Sequence, residues 1–377
     1  MMFSSVEQAV ADLRAGRLII IVDDEDRENE GDLMIAADRV TPDSINFMAT
    51  YGRGLICLSM TGERLDALEI PLMVPDPTNT SQYGTAFCIS IEARKNVSTG
   101  ISAPDRAQTI QTAINPDTRP ADLARPGHIF PLRARDGGVL VRAGQTEASV
   151  DLARIAGLDP SAVICEIMNP DGTMARTPEL IRFGEEHDIR IVTVADVIKY
   201  RLHTERFVRE VARAVLPTAH GEFDMIAFES VLDGETHVAL VRGNVDDGEN
   251  VLVRVHSHCL PGDVFGSSVC GCRDQIDRAL GMIAAENRGV LLYLHETGRG
   301  FHLQASPAGR TLEFHGKHGA AVNETIGRTG EQREYGIGVQ ILAALNLRSM
   351  RILTNHPRKL VALEGYGLKV VEQVPFA

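Results

Sequence analysis

The spacing of apolar and polar residues predicts alternating helices and strands over residues 1–203. Residues 1–16 have the pattern of an amphipathic helix with a serine N-cap, and a polar, turn-rich stretch at 74–87 predicts a mobile lid or a binding loop. Apolar runs at 18–22, 33–37, 125–134 and 162–169 predict strands, and segments within 99–114, 137–158 and 171–189 predict helices.

The pattern changes between His203 and Leu216, where charged residues interleave with Val, Phe and Ala. We therefore place a domain boundary here, giving domains 1–203 and 204–377. In the second domain, strands are predicted within 216–230, 237–244, 250–259, 290–294 and 350–354, helices within 273–289 and 336–347, and a helix, turn and strand within 359–375. The predicted fold class is α+β or mixed α/β, with each domain a mixed sheet covered by helices.

A dense acidic loop follows the first predicted strand. The sequence after Val22 reads DDEDRENEGD, with Arg27 and Gly31 interrupting the carboxylates. Like charges at this density repel one another, and a bound cation or a charged substrate would offset that cost. The alternative is an acidic turn that is exposed to solvent and binds nothing. Oxygen ligands of this kind suit a hard divalent ion such as Mg²⁺.

Composition narrows the class of protein. The chain has 377 residues, a formal net charge of −13 and a sequence pI near 5.4. This acidity argues against a general nucleic-acid or membrane surface, so a phosphate-bearing substrate needs a local Arg and Lys cluster. No apolar run approaches the ~18 residues of a membrane span, and the first 16 residues do not resemble a signal peptide, which predicts a cytoplasmic protein.

The six cysteines fall into two groups. Cys57, Cys88 and Cys165 lie singly in apolar contexts, where a buried reduced thiol is expected. Cys259, Cys270 and Cys272 have the spacing C-x₁₀-C-x-C, which predicts zinc in a cytoplasmic protein. Three thiolates leave one tetrahedral position open for catalysis, whereas a structural zinc would take a fourth ligand such as His256 or His258.

The segment DDEDRENEGD resembles the signature of 3,4-dihydroxy-2-butanone 4-phosphate synthase. This enzyme converts ribulose 5-phosphate to 3,4-dihydroxy-2-butanone 4-phosphate and formate. The resemblance implies Glu28 as a ligand of Mg²⁺ or Mn²⁺, a homodimer formed through the first domain, and substrate contact with acid/base work at Arg27 and Asp32. Further residues that it places in the site are Cys57, Ser102, Asp105, Arg106, His128, Arg142, Thr146 and Glu166, with Arg142 and Thr146 on the phosphate.

One position departs from that pattern. The family reads R-x-G-H-T-E, with the His as the second protein ligand of the metal, and this chain has Gln145. An amide oxygen can bind Mg²⁺ but cannot accept a proton. We therefore expect a metal site that survives with slower catalysis.

Residues 214–377, with RVHSHCLPGDVFG followed by CGC, resemble GTP cyclohydrolase II, which releases formate and pyrophosphate from GTP. The resemblance implies catalytic roles for Glu331 and Arg333 and zinc ligation by Cys259, Cys270 and Cys272. It implies GTP, or another purine nucleotide, as the ligand of the second domain, with substrate contacts from Arg254, Gln275, Arg299, Thr354 and Lys359. His256, Ser257, Gly298 and Tyr335 also match the family.

Other positions of the second domain differ from the cyclohydrolase family. His258, Thr297 and Glu331 replace family carboxylates, and 301–328 lacks two family segments. Guanine presents N–H donors, so loss of a buried acceptor weakens its recognition. These departures predict a synthase whose cyclohydrolase domain is weak or inactive. The alternatives are a fully bifunctional enzyme and a non-catalytic paralogue that binds metabolites.

Overall fold

A computed structural model describes residues 3–24, 27–75, 78–81, 83–232, 234–295, 337–355 and 368–376, together with the backbone of 301–306 and 309–314. The chain divides into two compact units, Met1–Arg201 and Leu202–Ala377. Each unit is built on its own seven-stranded sheet.

The first unit contains strands β1 to β7 and begins with a helix that the sequence predicted. Helix α1 has Ser5 as its N-cap in a capping box with Gln8. The strands are β1 (Ile19–Val22), β2 (Gly31–Ala36), β3 (Cys57–Met60), β4 (Ile91–Ala93), β5 (Leu123–Arg133), β6 (Ser161–Glu166) and β7 (Arg190–Thr193). The helices are α1 (Val6–Arg14), α2 (Pro42–Phe47), α3 (Gly62–Ala67), α4 (Ala103–Ile114), α5 (Gln145–Ile155), α6 (Thr177–His187) and α7 (Val194–Thr204).

The first sheet has the strand order β4-β5-β3-β6-β2-β1-β7 and is mixed. β1 pairs with β7 and β3 with β5 in parallel, while the other neighbours are antiparallel. This topology brings the carboxyl ends of β1 and β6 to the same edge as the amino ends of β2 and β3. The apolar residues of the central strands are fully buried, which explains their continuous hydrophobic runs.

The second unit has the strand order β16-β15-β11-β12-β10-β9-β8. Its sheet strands are β8 (Val208–Thr218), β9 (Gly221–Ser230), β10 (Thr236–Arg242), β11 (Val251–Ser257), β12 (Gly289–Leu294), β15 (Ser349–Leu353) and β16 (Lys369–Val374). A separate hairpin joins β13 (Phe301–Ser306) to β14 (Gly309–Phe314). Helix α8 (Cys272–Glu286) and a helix over 337–344 pack against the sheet, and apolar clusters include residues from each.

The structure confirms the predicted fold class of two mixed sheets with helices. The structure places β8 in the stretch after His203, where the sequence analysis assigned only a domain boundary. The charged, interleaved pattern belongs to this strand, which forms a long hairpin with β9. β8 is mostly exposed, so its sequence lacks the alternation of apolar and polar residues that a strand with one buried face shows. The helix predicted after Lys359 lies outside the described residues. Among the residues that are described, none of the helices combines the length and the apolar character needed to cross a membrane.

Candidate active site and candidate metal centre

Asp23 organises the acidic loop between β1 and β2. Its side chain is buried and accepts hydrogen bonds from the backbone N–H groups of Glu28 (3.2 Å) and Glu30 (2.9 Å). It also accepts one from Arg27 Nη1 at 2.7 Å. One carboxylate therefore shapes the loop that presents the predicted metal and substrate residues. No motif in the sequence marks Asp23, although its place at the end of an apolar strand is a usable signal.

Arg27 connects this loop to the start of α5. Its Nη1 donates to Gln145 Oε1 at 3.1 Å, and its Nη2 lies 2.7 Å from Glu28 Oε1. The guanidinium also stacks on the Tyr83 ring, 5.0 Å from its centroid, and Tyr83 Oη donates to the backbone oxygen of Arg27. Three residues predicted for the site, Arg27, Glu28 and Gln145, thus lie in direct contact.

Asp32 and Glu166 occupy opposite positions on the antiparallel strands β2 and β6. Burial raises the pKa of Asp32 well above its usual value, and the Glu166 and Glu28 carboxylates raise it further. Burial also raises the pKa of Glu166, although its Oε2 accepts a hydrogen bond from the Leu55 backbone N–H at 2.8 Å. The raised pKa values favour a pair that keeps a proton and can exchange it with a bound molecule.

Cys57 lies on β3 beside these carboxylates and is almost fully buried. Burial raises the pKa of its thiol strongly, and the Glu166 and Asp32 charges add to this effect. Cys57 is therefore a neutral thiol at physiological pH, which argues against a role as a thiolate nucleophile.

Arg142 precedes the N-terminus of α5, and Thr146 lies in the first turn of this helix. Arg142 Nη1 donates to Glu147 Oε2 at 2.6 Å, and its Nη2 donates to the Tyr83 backbone oxygen and to Thr85 Oγ1, both at 3.2 Å. Glu147 is buried, and burial raises its pKa while Arg142 lowers it. Because the first backbone N–H groups of a helix lack internal partners, this end of α5 with an adjacent guanidinium can bind an anion. No sequence signal identified the anchoring role of Glu147, although this residue is the last of the segment 142–147 that matches the family pattern R-x-G-H-T-E.

Ser102, Asp105 and Arg106 lie at the beginning of α4. Ser102 caps the helix, and Asp105 accepts hydrogen bonds from Ser98 N–H, Ser98 Oγ and Gly100 N–H. These hydrogen bonds, led by the Ser98 hydroxyl, lower the pKa of Asp105 to about 2. Ser102 and Asp105 thus hold the loop, whereas Arg106 Nε is buried without a hydrogen-bond partner among the described residues.

His128 lies on β5, two residues before Phe130, which pairs with Cys57. Its Nδ1 is 2.5 Å from Glu92 Oε2, and Thr109 Oγ1 donates to Glu92 Oε1 at 2.8 Å. Glu92 therefore fixes the orientation of the predicted catalytic histidine. No motif in the sequence identified Glu92, because it is 36 residues from His128 and meets it only through the pairing of β4 with β5.

The carboxylates of the first unit fit a divalent ion by the chemistry of the donor set. Burial raises the pKa of Glu30, and the charges of Glu28, Asp23 and Glu166 contribute to the rise. A bound cation would offset this repulsion. Within the described part of the first unit, however, no three Asp, Glu, His or Cys ligand atoms lie within 4.8 Å of one another. The predicted ligands Glu28 and Gln145 would therefore share the ion with water or substrate, as is usual for Mg²⁺.

Cys259, Cys270 and Cys272 converge in the second unit. Their sulfur atoms all lie within 4.8 Å of one another, and Cys259 Sγ is 3.8 Å from Cys270 Sγ. Gly262 permits this approach, because a Cβ there would lie 2.5 Å from Cys270 Sγ. Burial raises the pKa values of Cys259 and Cys272, so a metal ion is needed to hold them as thiolates at neutral pH. Three sulfur ligands at this separation fit a tetrahedral zinc.

The remaining predicted residues of the second unit are only partly described. Arg254 Nη2 donates to Gln275 Oε1 at 2.7 Å, Arg254 Nη1 donates to the Leu353 backbone oxygen, and the guanidinium lies 5.0 Å from the Phe376 ring centroid. Thr354 follows β15 directly, and its N–H donates to the Val374 backbone oxygen. Outside the described residues lie Thr297, Gly298, Arg299, Glu331, Arg333, Tyr335 and Lys359.

Comparison with known proteins identifies the family. A family model described as 3,4-dihydroxy-2-butanone 4-phosphate synthase matches residues 7–200, and one described as GTP cyclohydrolase II matches residues 208–375. The chain belongs to the family of bifunctional riboflavin-biosynthesis proteins. It is thus an enzyme of riboflavin biosynthesis with a synthase domain followed by a GTP cyclohydrolase II domain.

Relatives align along nearly the whole chain. "Riboflavin biosynthesis protein RibBA" of Aquifex aeolicus is 55% identical, over 99% of this chain and 92% of the relative. The Bacillus cereus (strain ATCC 14579) protein of the same name is 49% identical, over 99% of this chain and 94% of the relative.

Two solved structures are similar. RibBX, a two-domain 3,4-dihydroxy-2-butanone 4-phosphate synthase from A. baumannii, has a TM-score of 0.79 at 39% identity and covers 99% of this chain and 100% of its own. A 3,4-dihydroxy-2-butanone 4-phosphate synthase in complex with two magnesium ions has a TM-score of 0.51 at 39% identity, over 54% of this chain and 98% of its own.

Proposed function

We propose that the first unit converts D-ribulose 5-phosphate to 3,4-dihydroxy-2-butanone 4-phosphate and formate with the help of Mg²⁺ or Mn²⁺. The observation that carries this proposal is the buried Asp32–Glu166 pair beside the loop of Arg27 and Glu28. A reaction that removes and returns protons on a sugar needs groups that can both hold and accept a proton, and the raised pKa values of these two carboxyls favour that behaviour. The similarity to solved synthases, one of them holding magnesium, supports the same assignment.

The phosphate of the substrate is placed at the N-terminus of α5. Arg142 supplies positive charge, and Thr146 supplies a hydroxyl in the first turn. Arg142 is already oriented by Glu147, Thr85 and the Tyr83 backbone oxygen, so little side-chain entropy is lost when an anion binds. Arg142 also remains partly exposed, with 17% of its side-chain surface accessible.

Asp32 and Glu166 handle the protons. Two close, buried carboxyls do not both ionise easily, so one keeps a proton while the other accepts one. The Leu55 N–H bonded to Glu166 Oε2 leaves Oε1 for proton exchange. His128, oriented by Glu92, is assigned acid/base catalysis at the same edge of the sheet. Cys57 lines the site with a neutral, apolar side chain.

Glu28 and Gln145 would hold the divalent ion, and both contact Arg27. The ion, when bound, polarises the carbonyl and neighbouring hydroxyl of the substrate. Arg27 neutralises part of the charge of Glu28 in its absence. The substitution of glutamine for the family's histidine supplies an amide oxygen ligand in place of a basic imidazole nitrogen.

For the second unit, we propose one zinc held by Cys259, Cys270 and Cys272. There are two hypotheses for the activity of the second unit on GTP. The changed positions His258, Thr297 and Glu331 support weak or absent cyclohydrolase activity. The relatives' name RibBA, and the printed name "Bifunctional riboflavin biosynthesis protein RIBA 1" of an Arabidopsis thaliana relative at 47% identity, support full bifunctionality.

Three further expectations remain proposals. The two compact units are proposed to be the two functional domains, separated near residue 203. The chain is proposed to form a homodimer through the first domain, as the family resemblance implies. A cytoplasmic location also stays a prediction from the sequence.

The proposed activities are tested by formate release. The purified chain is incubated separately with ribulose 5-phosphate and with GTP, and formate is measured in each. We expect formate from ribulose 5-phosphate that requires Mg²⁺ or Mn²⁺ and is abolished in Glu28→Gln, which keeps the shape of the loop but removes its charge. Near wild-type turnover by Glu28→Gln would contradict the role of the loop. Formate from GTP within about tenfold of a typical kcat near 10 s⁻¹ would establish the bifunctional alternative.

A further inference from the structure

Asp263 and Cys259 close a turn on each other. The Asp263 N–H donates to the Cys259 backbone oxygen at 2.7 Å, and Asp263 Oδ2 accepts from the Cys259 N–H, also at 2.7 Å. The residues between them form a single π-helical turn, Leu260–Val264. Both hydrogen bonds fix the backbone of Cys259, which carries its sulfur, and the second of them requires the Asp263 carboxylate.

The same carboxylate ties this turn to the sheet. Asp263 Oδ1 lies 3.0 Å from His256 Nε2 on β11, and Tyr293 Oη on β12 donates to Asp263 Oδ2 at 2.7 Å. His256 and Tyr293 are paired in register on these parallel strands. The side chains of Asp263 and His256 are only 6% and 4% exposed. The turn is therefore anchored to two neighbouring strands through one buried carboxylate.

Asp263 also lies beside a second cysteine of the cluster. The ligand atoms of His256, Asp263 and Cys272 are all within 4.8 Å of one another. Cys272 begins α8, whereas Cys259 follows β11. Asp263 thus stands between the two chain segments that bring the thiols together.

We propose that Asp263 is a positioning residue of the zinc centre, holding Cys259 and His256 in place from outside the coordination shell. This inference rests on the proposed binding of zinc by the three cysteines. Three contacts, with the Cys259 N–H, the Tyr293 O–H and His256, occupy the carboxylate oxygens, so Asp263 acts through the other residues. Mutation of a residue that hydrogen-bonds to a metal ligand commonly weakens metal binding about 10- to 100-fold.

The role requires a carboxylate because both of its oxygens accept hydrogen bonds. An asparagine has one oxygen and one NH₂ group, so it would set an N–H donor against the Cys259 N–H and the tyrosine hydroxyl, or against His256. The Cys259 N–H would lose its acceptor in the first orientation, and in the second the amide would keep a contact with His256 only in one tautomer of the imidazole. Tyr293 extends the same network, since its Oη lies 2.7 Å from His258 Nδ1, next to Cys259.

The test compares zinc affinity in the full-length chain, measured by competition with a chromogenic chelator. We expect Asp263→Asn to weaken zinc binding about 10- to 100-fold and to alter the thiolate-to-metal absorption of the cobalt(II)-substituted protein. Tyr293→Phe, which removes the hydroxyl that contacts Asp263 and His258 and keeps the ring, is expected to weaken binding at least about threefold. Asp274→Asn is the matched control, because it removes the same charge from an exposed position in the first turn of α8.

The outcomes separate this role from the zinc site itself. Wild-type affinity and an unchanged cobalt spectrum in Asp263→Asn overturn the role of Asp263 and leave the zinc site standing. An equal loss of affinity in Asp274→Asn also overturns it, because the effect would then be one of net charge. If Asp263→Asn does not fold, Tyr293→Phe decides, and unchanged affinity there overturns the role. A wild-type chain that takes up no zinc overturns the proposed zinc site, and this role with it.

Discussion

Asp32 and Glu166 lie opposite each other on adjacent antiparallel strands, and burial raises the pKa of both. Like charges placed across neighbouring strands destabilise a sheet. The first sheet therefore carries an electrostatic cost at the edge where the acidic loop begins. A structural role alone does not explain two carboxylates at this position, whereas proton transfer and cation binding do.

Asp32→Asn is expected to stabilise the protein while it abolishes formate release from ribulose 5-phosphate. The folded-state pKa of Asp32 is raised, so its ionisation opposes folding increasingly as pH rises above the ordinary value near 4. The increase in the free energy of unfolding of Asp32→Asn over wild type should be greatest at neutral pH and vanish below about pH 4. In a domain of this size, about 1 kcal/mol shifts Tm by roughly 2–4 °C. Calorimetry without Mg²⁺ across this pH range measures the difference, and a variant less stable than wild type at pH 7 contradicts it.

Gln145→His is expected to change the choice of metal. Gln145 Oε1 contacts Arg27 beside Glu28, and an imidazole nitrogen there binds Mn²⁺ better than it binds Mg²⁺. The metal concentration for half-maximal synthase activity should therefore fall more for Mn²⁺ than for Mg²⁺. Identical titrations of the two proteins with both ions would mean that residue 145 is not a ligand.

Gly144→Ala is expected to weaken substrate binding with little loss of stability. A Cβ at this position would lie 2.4 Å from Arg142 Nη1 and 3.0 Å from Glu147 Oε2. The end of the arginine side chain can move, so the fold tolerates the methyl group but the phosphate contact is displaced. We expect KM for ribulose 5-phosphate to rise about tenfold, equivalent to ~1.4 kcal/mol, with a smaller change in kcat. An unchanged KM would exclude Arg142 from the phosphate site.

Gly262→Ala is expected to reduce zinc binding in the second unit. The added Cβ would lie 2.5 Å from Cys270 Sγ and 2.7 Å from Cys272 Cβ, so the thiols could not keep their separation. Gly271→Ala is a matched control between two of the cysteines, since its Cβ would meet only Gln275 Nε2 at 3.8 Å. Metal analysis after gel filtration should find less zinc in the first variant alone. Equal zinc content in both would show that the cluster is not arranged as described.

The sequence by itself determined the local elements that carry the candidate sites. The apolar runs before and after the acidic loop predicted a strand at each end, and these strands pair directly as β1 and β2. The spacing of Cys259, Cys270 and Cys272 predicted a thiol cluster because the residues are close in the chain. Ser5 marked the start of α1 through its capping pattern. These features follow from periodicity and short-range chemistry, which a sequence records directly.

The tertiary structure decided which residues orient the candidate groups. Arg27 meets Gln145 across 118 positions of the chain, and Glu92 meets His128 across 36. The Asp32–Glu166 pair depends on the register of β2 with β6, which a one-residue slip would destroy. No motif assigns a structural role to Asp23 or Asp263, and only burial with several hydrogen-bond donors shows that each one organises a turn. Such contacts depend on long-range strand order and register, which hydrophobic periodicity does not specify.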